Sequence, residues 1–214
     1  AAGKDAAGKI RMDVTADGRA SGIAPKDAAL GKAMGDSLTL ALRGQADTGG
    51  TLAVERLTVG TPTANARFAG TLGADTVRGK LGLSAENLRA FAEIAKARLA
   101  GAANLEIDLD GSPREKRINA ALDGHIAKFA TGIAPVDGLF GGKVALGGKV
   151  GTEAGSFRFD KLTLTGQNLS TEINGEMRQE TAALDVTGTL HELKRVDSRL
   201  TGHGTLQAKV TGGL

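Results

Sequence analysis

The side chains that could do chemistry are few, and their spacing argues against each reaction in turn. His125, His191 and His203 stand far apart in the chain. No two of them are four residues apart, as a helical zinc-binding pair would be, so they read as surface histidines. Glu106, Asp108 and Asp110 put three carboxylates into five residues, a density that suggests Ca²⁺. They alternate with Leu105, Ile107 and Leu109, however, and on a strand they leave one face at intervals of about 7 Å, which suits a solvated face better than a cation cage. Gly3-Lys-Asp-Ala-Ala-Gly-Lys9 approaches a phosphate-binding loop, but Ile10 replaces the Mg²⁺-binding Ser or Thr and a strand pattern follows where a helix is needed. No Ser occupies a Gly-x-Ser-x-Gly elbow, and no Cys exists to form a disulfide or a thiolate site. The sequence supports no enzyme, and neither a metal nor a cofactor is expected.

Composition narrows the classes further. The 27 basic and 24 acidic residues leave a net charge of +3 with no long run of one sign, which argues against nucleic acid as the main partner. Hydrophobic residues make up 41%, enough for a folded protein, yet there is no Trp, no Tyr and only six Phe. Gly fills 32 of 214 positions, about twice the usual share of ~7%. No apolar run reaches 18 residues, and the first residues lack the basic-then-apolar order of a signal peptide. The chain does not begin with Met, so an internal piece of a longer protein is expected. These features leave the compartment open.

The elements that must carry these residues are short strands. Thr51-Leu-Ala-Val-Glu-Arg-Leu-Thr-Val59 alternates, slips by one residue at Glu55-Arg56, and resumes the alternation; Ser156-Phe-Arg-Phe-Asp-Lys-Leu-Thr-Leu164 repeats the pattern, slip included. Gly22-Ile-Ala-Pro25 recurs as Gly132-Ile-Ala-Pro135. Strands are predicted at Ile10–Val14, Leu38–Leu42, Leu52–Val59, Ala66–Leu72, Val77–Leu83, Leu105–Leu109 and Ile118–Leu122. A second cycle follows at Val144–Val150, Phe157–Leu164, Ile173–Met177, Leu184–Leu190 and Leu206–Val210. Asp17-Gly18 and Asp123-Gly124 read as strand ends. Ser84 reads as the N-cap of a helix through Leu88, Phe91, Ile94 and Leu99, ended by Gly101. Short Gly-bearing separators make an antiparallel meander the natural connection. The expected architecture is therefore an all-β, elongated antiparallel sheet of two repeats of ~105 residues, with at most one short helix per repeat. Residues 1–18 would end a preceding unit, 19–124 form unit one and 125–214 unit two.

One apolar face of such a sheet must be covered. Gly70, Gly79, Gly148, Gly175 and Gly188 fall mid-strand at inward positions, where a packed core would want volume and a bent sheet would want freedom. The slips at Glu55-Arg56 and Asp160-Lys161 read as bulges, the other device that bends strands. A curled trough lined by small aliphatics fits this pattern; so do a sandwich and a β-solenoid. The bulge reading makes one demand: Leu52 and Val54 must face the same side as Leu57 and Val59.

The phrases Gly-Ile-Ala-Pro followed by Leu139-Phe-Gly-Gly142, Leu162-Thr-Leu-Thr-Gly166 followed by Ile173-Asn-Gly175, and Leu190-His-Glu-Leu193 leading to Leu200-Thr-Gly202 resemble the TamB family, the translocation and assembly module proteins related to AsmA-like proteins. The resemblance is one of style over nearly the whole chain. It implies a periplasmic segment of an inner-membrane-anchored envelope protein, with a curled β-groove that carries phospholipid between membranes and supports outer-membrane protein assembly. An Omp85-type outer-membrane barrel would be engaged by parts of the protein outside these residues. Phospholipid acyl chains would lie on Leu38, Leu40, Leu42, Leu52, Val54, Leu57, Val59, Phe68, Leu81, Leu83, Leu105, Ile107 and Leu109, continuing over Phe157, Phe159, Leu162, Leu164, Ile173, Leu184 and Val186. The alternative is a structural or adhesive β-rich scaffold with a dry core. An outer-membrane barrel is excluded by the absence of the Trp and Tyr that form its girdles.

Overall fold

A computed structural model describes residues 2–4, 10–178 and 181–213. Thirteen strands form one antiparallel sheet in which each strand pairs with its sequence neighbours and no pairing joins the last strand back to the first. The strands are β1 (Ala2–Lys4), β2 (Ile10–Ser21), β3 (Ser37–Asp47), β4 (Leu52–Gly60), β5 (Ala64–Leu72), β6 (Val77–Ala85) and β7 (Ala100–Ser112). They continue with β8 (Arg117–Ala130), β9 (Lys143–Glu153), β10 (Ser156–Thr165), β11 (Leu169–Arg178), β12 (Thr181–Leu190) and β13 (Gly204–Gly213). The sheet is curled and open.

The duplication holds element by element. β2 to β7 are repeated by β8 to β13, and each cycle carries helical pieces in the same two connections. The first holds α1 (Ala28–Met34) in one unit and α3 (Ala134–Phe140) in the other. The second holds a 3-10 turn (Leu88–Phe91) running into α2 (Ala92–Ala95) in unit one, and a 3-10 turn alone (Leu193–Arg195) in unit two. Each unit thus has two short helical connections where the sequence allowed one. The expected helix from Ser84 to Leu99 is shorter and starts later. Ser84 stays in β6, paired with Asn65 and Asn104, because Leu81, Leu83 and Ala85 keep the strand alternation; Asn87 caps instead, accepting the Arg89 N–H at 3.1 Å.

The strand registers give the sheet two unlike rims. All four helical connections lie at one rim, together with the turns at 61–63 and 166–168, and the described connections of the other rim are tight turns. Short links hold the helical rim together. The Thr63 hydroxyl donates to the Ala33 carbonyl, tying α1 to the β4–β5 turn, and Lys32 pairs with Glu93 of α2. In unit two the Asn168 amide donates to the Gly138 carbonyl at 2.8 Å, tying α3 to the β10–β11 turn.

β2 and β8 run past the expected stops at Asp17-Gly18 and Asp123-Gly124, so the boundaries 18/19 and 124/125 fall inside strands. Both glycines are inward positions opposite leucines, Gly18 with Leu40 and Gly124 with Leu105 and Leu146. Gly124 leaves room for the Leu105 side chain, since a Cβ there would stand 2.9 Å from Leu105 Cδ1, and neither glycine ends its strand.

Both slips are bulges. Val54 pairs with Gly70 and Leu57 with Phe68, so Ala69 alone opposes Glu55 and Arg56. Phe159 pairs with Gly175 and Leu162 with Ile173, so Asn174 alone opposes Asp160 and Lys161. In the second bulge Lys161 takes φ 47°, and its N–H is held by the Asn174 side chain at 2.8 Å. β5 and β11 alternate without a break, so Leu52, Val54, Leu57 and Val59 face one side, as do Phe157, Phe159, Leu162 and Leu164. The extra residue restores a parity that a regular strand would have lost.

Strands close in sharply on this side. A Cβ at Gly70, where φ is 155°, would stand 2.1 Å from the Arg78 carbonyl oxygen, and one at its partner Gly79 would stand 2.8 Å from the Gly70 Cα. Gly148, at φ 124°, meets the Lys161 carbonyl in the same way at 2.3 Å. Only a residue without Cβ permits such an approach.

Candidate functional site

The inward face forms rows that run across the strands. One row runs Val14, Gly44, Val54, Gly70, Gly79, Leu109, Ala120, Val150, Phe159, Gly175, Leu184, Val210. The next contains Leu42, Leu57, Phe68, Leu81, Ile107 and Leu122 in unit one, then Leu162, Ile173, Val186 and Ala208 in unit two. A third contains Leu40, Val59, Ala66, Leu83, Leu105, Gly124, Leu146 and Leu164. All twenty residues assigned to the lining by sequence lie on this one face: Leu38 extends it toward the helical rim opposite Ala20, and Leu52 and Phe157 extend it toward the turn rim. Sequence reasoning left Met12, Ile118, Leu122, Ile126, Leu146, Val150, Met177, Leu206 and Val210 out of the lining. They share the face, and the same alternation in β2, β8, β9, β11 and β13 was the signal for them.

Outside the β7–β8 irregularity, where Lys128 and Phe129 oppose Gly101, no Asp, Glu, Lys or Arg occupies this face on any described strand from β2 to β13. Twelve strands about 4.8 Å apart, with about five inward positions on average, outline an area on the order of 1,400 Å². The largest apolar patch of an ordinary monomer covers ~300–600 Å².

The lining is not a filled core. Among the described residues no large side chain is fully buried; of the lining residues Val54 at 4% and Phe68 at 7% exposure come closest. Leu40, Leu83, Phe157, Leu206 and Val210, all inward, are exposed. The accessible surface is 13801 Å², whereas a compact monomer of this length is expected to show about 9,200 Å².

The opposite face takes the charge. Arg78 pairs with Asp110 at 3.0 Å and Lys80 with Asp108 at 3.2 Å, each across the β6–β7 register. Two of the three carboxylates that suggested Ca²⁺ therefore have cationic partners, and no group of metal-ligating side chains gathers among the described residues. His125 lies on this face 3.4 Å from the Asn104 amide, while His191 and His203 sit in the β12–β13 connection. Of the loop-like stretch at 3–9, Gly3 and Lys4 belong to β1 and residues 5–9 lie outside the described residues. A hollow of about 440 Å³ lies on the outer face among Asp108, Asp110, Lys149, Arg158 and Asp160. It is an open gap between long side chains of mixed sign and selects no ligand class.

Asp137 marks the helical rim electrostatically. Its carboxylate accepts the Thr131 N–H at 2.6 Å, the Thr131 hydroxyl at 2.9 Å and the Gly132 N–H at 3.1 Å. The backbone bond from Thr131 is the main cause that holds its pKa below the usual carboxylate value, against a smaller opposing effect of desolvation. No family model matches this chain, and no similar curated protein or solved structure was found.

Proposed function

We propose that this chain is a non-catalytic segment of a phospholipid conduit of the TamB kind, working in the periplasm of an envelope protein that also supports outer-membrane protein assembly. The observation that carries this reading is the inward face, free of charge outside the β7–β8 irregularity and continuous across twelve strands, with leucine- and phenylalanine-sized side chains still open to a ligand. An apolar area of that size requires a cover, and acyl chains supply one without demanding shape complementarity, because the hydrophobic effect has no direction. Head groups would stay in water at the rims, so selection among phospholipids is weak. Docking on an Omp85-type barrel would belong to parts of the protein outside these residues.

Native mass spectrometry of the gently purified protein tests this. A retained phospholipid is expected, and Leu57→Arg or Leu162→Asp should strip it while leaving the far-ultraviolet circular dichroism unchanged. A clean unliganded mass from the unsubstituted protein would instead favour a β-rich scaffold. If the two substitutions unfold the protein, those leucines belong to a close-packed core and the conduit loses its support.

A further inference from the structure

The inward column of β8 is Ile118, Ala120, Leu122, Gly124 and Ile126, in unbroken register with β9 as far as Ala127. The period of two makes Lys128 its next member. Against β7 the same residue, together with Phe129, stands opposite Gly101, itself an inward position. This apolar column thus ends on a cation at the helical rim. On the other strands from β2 to β13 the inward column ends uncharged at both rims. The backbone beneath the cation is strained: Lys128 takes φ 55°, a left-handed conformation that disfavours any residue with a Cβ. Phe129 holds it there, its N–H donating to the Gly142 carbonyl at 2.9 Å and its ring standing edge-on to Phe140 of α3, with centroids 5.4 Å apart. Unit one places a glycine at the same point. Gly18 pairs with Leu40 as Gly124 pairs with Leu146, so Gly22, four residues on and at φ 70°, is the counterpart of Lys128.

Lys128 is exposed, and among the described residues no carboxylate pairs with it. Arg98 is also without an ion pair, and its side chain runs along the next connection, where a Cβ at Gly132 would stand 3.3 Å from the Arg98 Cδ. Asp137 is the only acid between 129 and 142, and its oxygens are taken by Thr131 and Gly132. We propose that Lys128, with Arg98 on the adjoining connection, binds the phosphate of an amphiphile whose tail lies on the β8 column. Head groups then gather at the helical rim where the two units join. The column from Ile126 to Ile118 rises through eight residues, about 27 Å, longer than the ~15 Å of hydrocarbon in one bilayer leaflet. A strained lysine in place of glycine gains its purpose from the anion. The inference rests on the lipid reading of the lining and adds to it the charge of the head group and the rim it faces. Phosphate is common to phospholipids, so Lys128 orients the lipid without choosing among species.

The test titrates the full 214-residue protein by calorimetry with two single-chain lipids of the same tail, lysophosphatidylglycerol and monoacylglycerol, each below its micelle concentration. The phosphate-bearing lipid should bind about fivefold more tightly. Lys128→Gly should erase that preference, leave the monoacylglycerol affinity unchanged and not lower the melting temperature, because the backbone strain goes with the side chain. Lys128→Arg should keep the preference. Glycerol 3-phosphate, a head without a tail, should show no measurable binding. Equal affinities for the two lipids, or a preference that survives Lys128→Gly, overturn this inference and leave the lining a lipid site. Glycerol 3-phosphate binding as tightly as the lipid also overturns it, in favour of a free-phosphate site unconnected to the lining. Binding of neither lipid overturns the lipid reading and this inference together.

Discussion

In unit one, Asp27 closes the phrase Gly-Ile-Ala-Pro-Lys-Asp and caps α1 from outside, accepting the Leu30 N–H at 3.0 Å. In unit two, Asp137 closes the equivalent Gly-Ile-Ala-Pro-Val-Asp, yet lies inside α3 and turns its carboxylate back to Thr131 and Gly132. The cause is length. Eight positions separate Asp27 from Gly35, where α1 stops, and four separate Asp137 from Gly141, where α3 stops. With about one helical turn removed, the helix begins upstream, Pro135 becomes part of its first turn, and no side chain caps its first N–H groups. The same six-residue pattern thus serves two structures, and the spacing to the next glycine chooses between them.

The linings differ too. Val54 and Phe68 are buried in unit one, but their counterparts Phe159 and Ile173 are only half-buried in unit two, and Phe157 is exposed. Both units carry a bulge directly after a residue paired with a glycine, Val54 with Gly70 and Phe159 with Gly175, and the lining of unit one is the more enclosed. The difference teaches that the bulge-and-glycine pair sets the bend, while the side chains around it set how much lining stays open.

The largest expected effect tests the shared device. Gly70→Val and Gly175→Val each push a side chain into a carbonyl 2.1 Å away at a positive φ, so each should cost more than about 3 kcal/mol in urea denaturation or prevent folding. Gly188→Ala meets only ordinary contacts at 3.6 Å and should stay within about 0.5 kcal/mol. A unit that accepts the valine does not bend at that glycine. Next comes closure: Phe68→Ala should cost about 3 kcal/mol and Ile173→Ala about 1 kcal/mol, because only the first leaves a cavity in enclosed surroundings. Equal losses would mean that the two units are equally closed.

The smallest effect concerns the two aspartates. Asp27→Ala should lower stability by about 1 kcal/mol, the worth of an N-cap. Asp137→Asn should lower the melting temperature near neutral pH. The folded pKa of Asp137 is depressed, so its contribution is fully present above the unfolded carboxylate value and disappears as pH falls through the lowered folded value. The deficit of the Asn variant should therefore shrink with acidification. A deficit independent of pH would show that Thr131 and Gly132 need only an acceptor and not a charge.

Much of this was legible in the chain. Alternation placed all twenty lining residues on one face, because a strand has a period of two and register cannot slip without exposing the whole set. The slips at Glu55-Arg56 and Asp160-Lys161 were readable as bulges for the same reason. The helices were less legible. Ser84 looks like a cap and Leu88, Phe91 and Ile94 have helical spacing, but the cross-strand ladder through Asn65 and Asn104 holds Ser84 in β6, and pairing outweighs a local cap. Gly18 and Gly124 looked like turns, since nothing in the sequence reveals that leucines of neighbouring strands lie against them.

By itself the sequence determined the duplication, the antiparallel meander and the division of every strand into an apolar and a charged side, because these follow from local periodicity and short connections. Only the tertiary structure decided that all the apolar sides join into one open lining and that the four helical connections share one rim. Those facts depend on which residues of different strands stand opposite one another, and that is fixed by hydrogen-bonded register across the whole sheet.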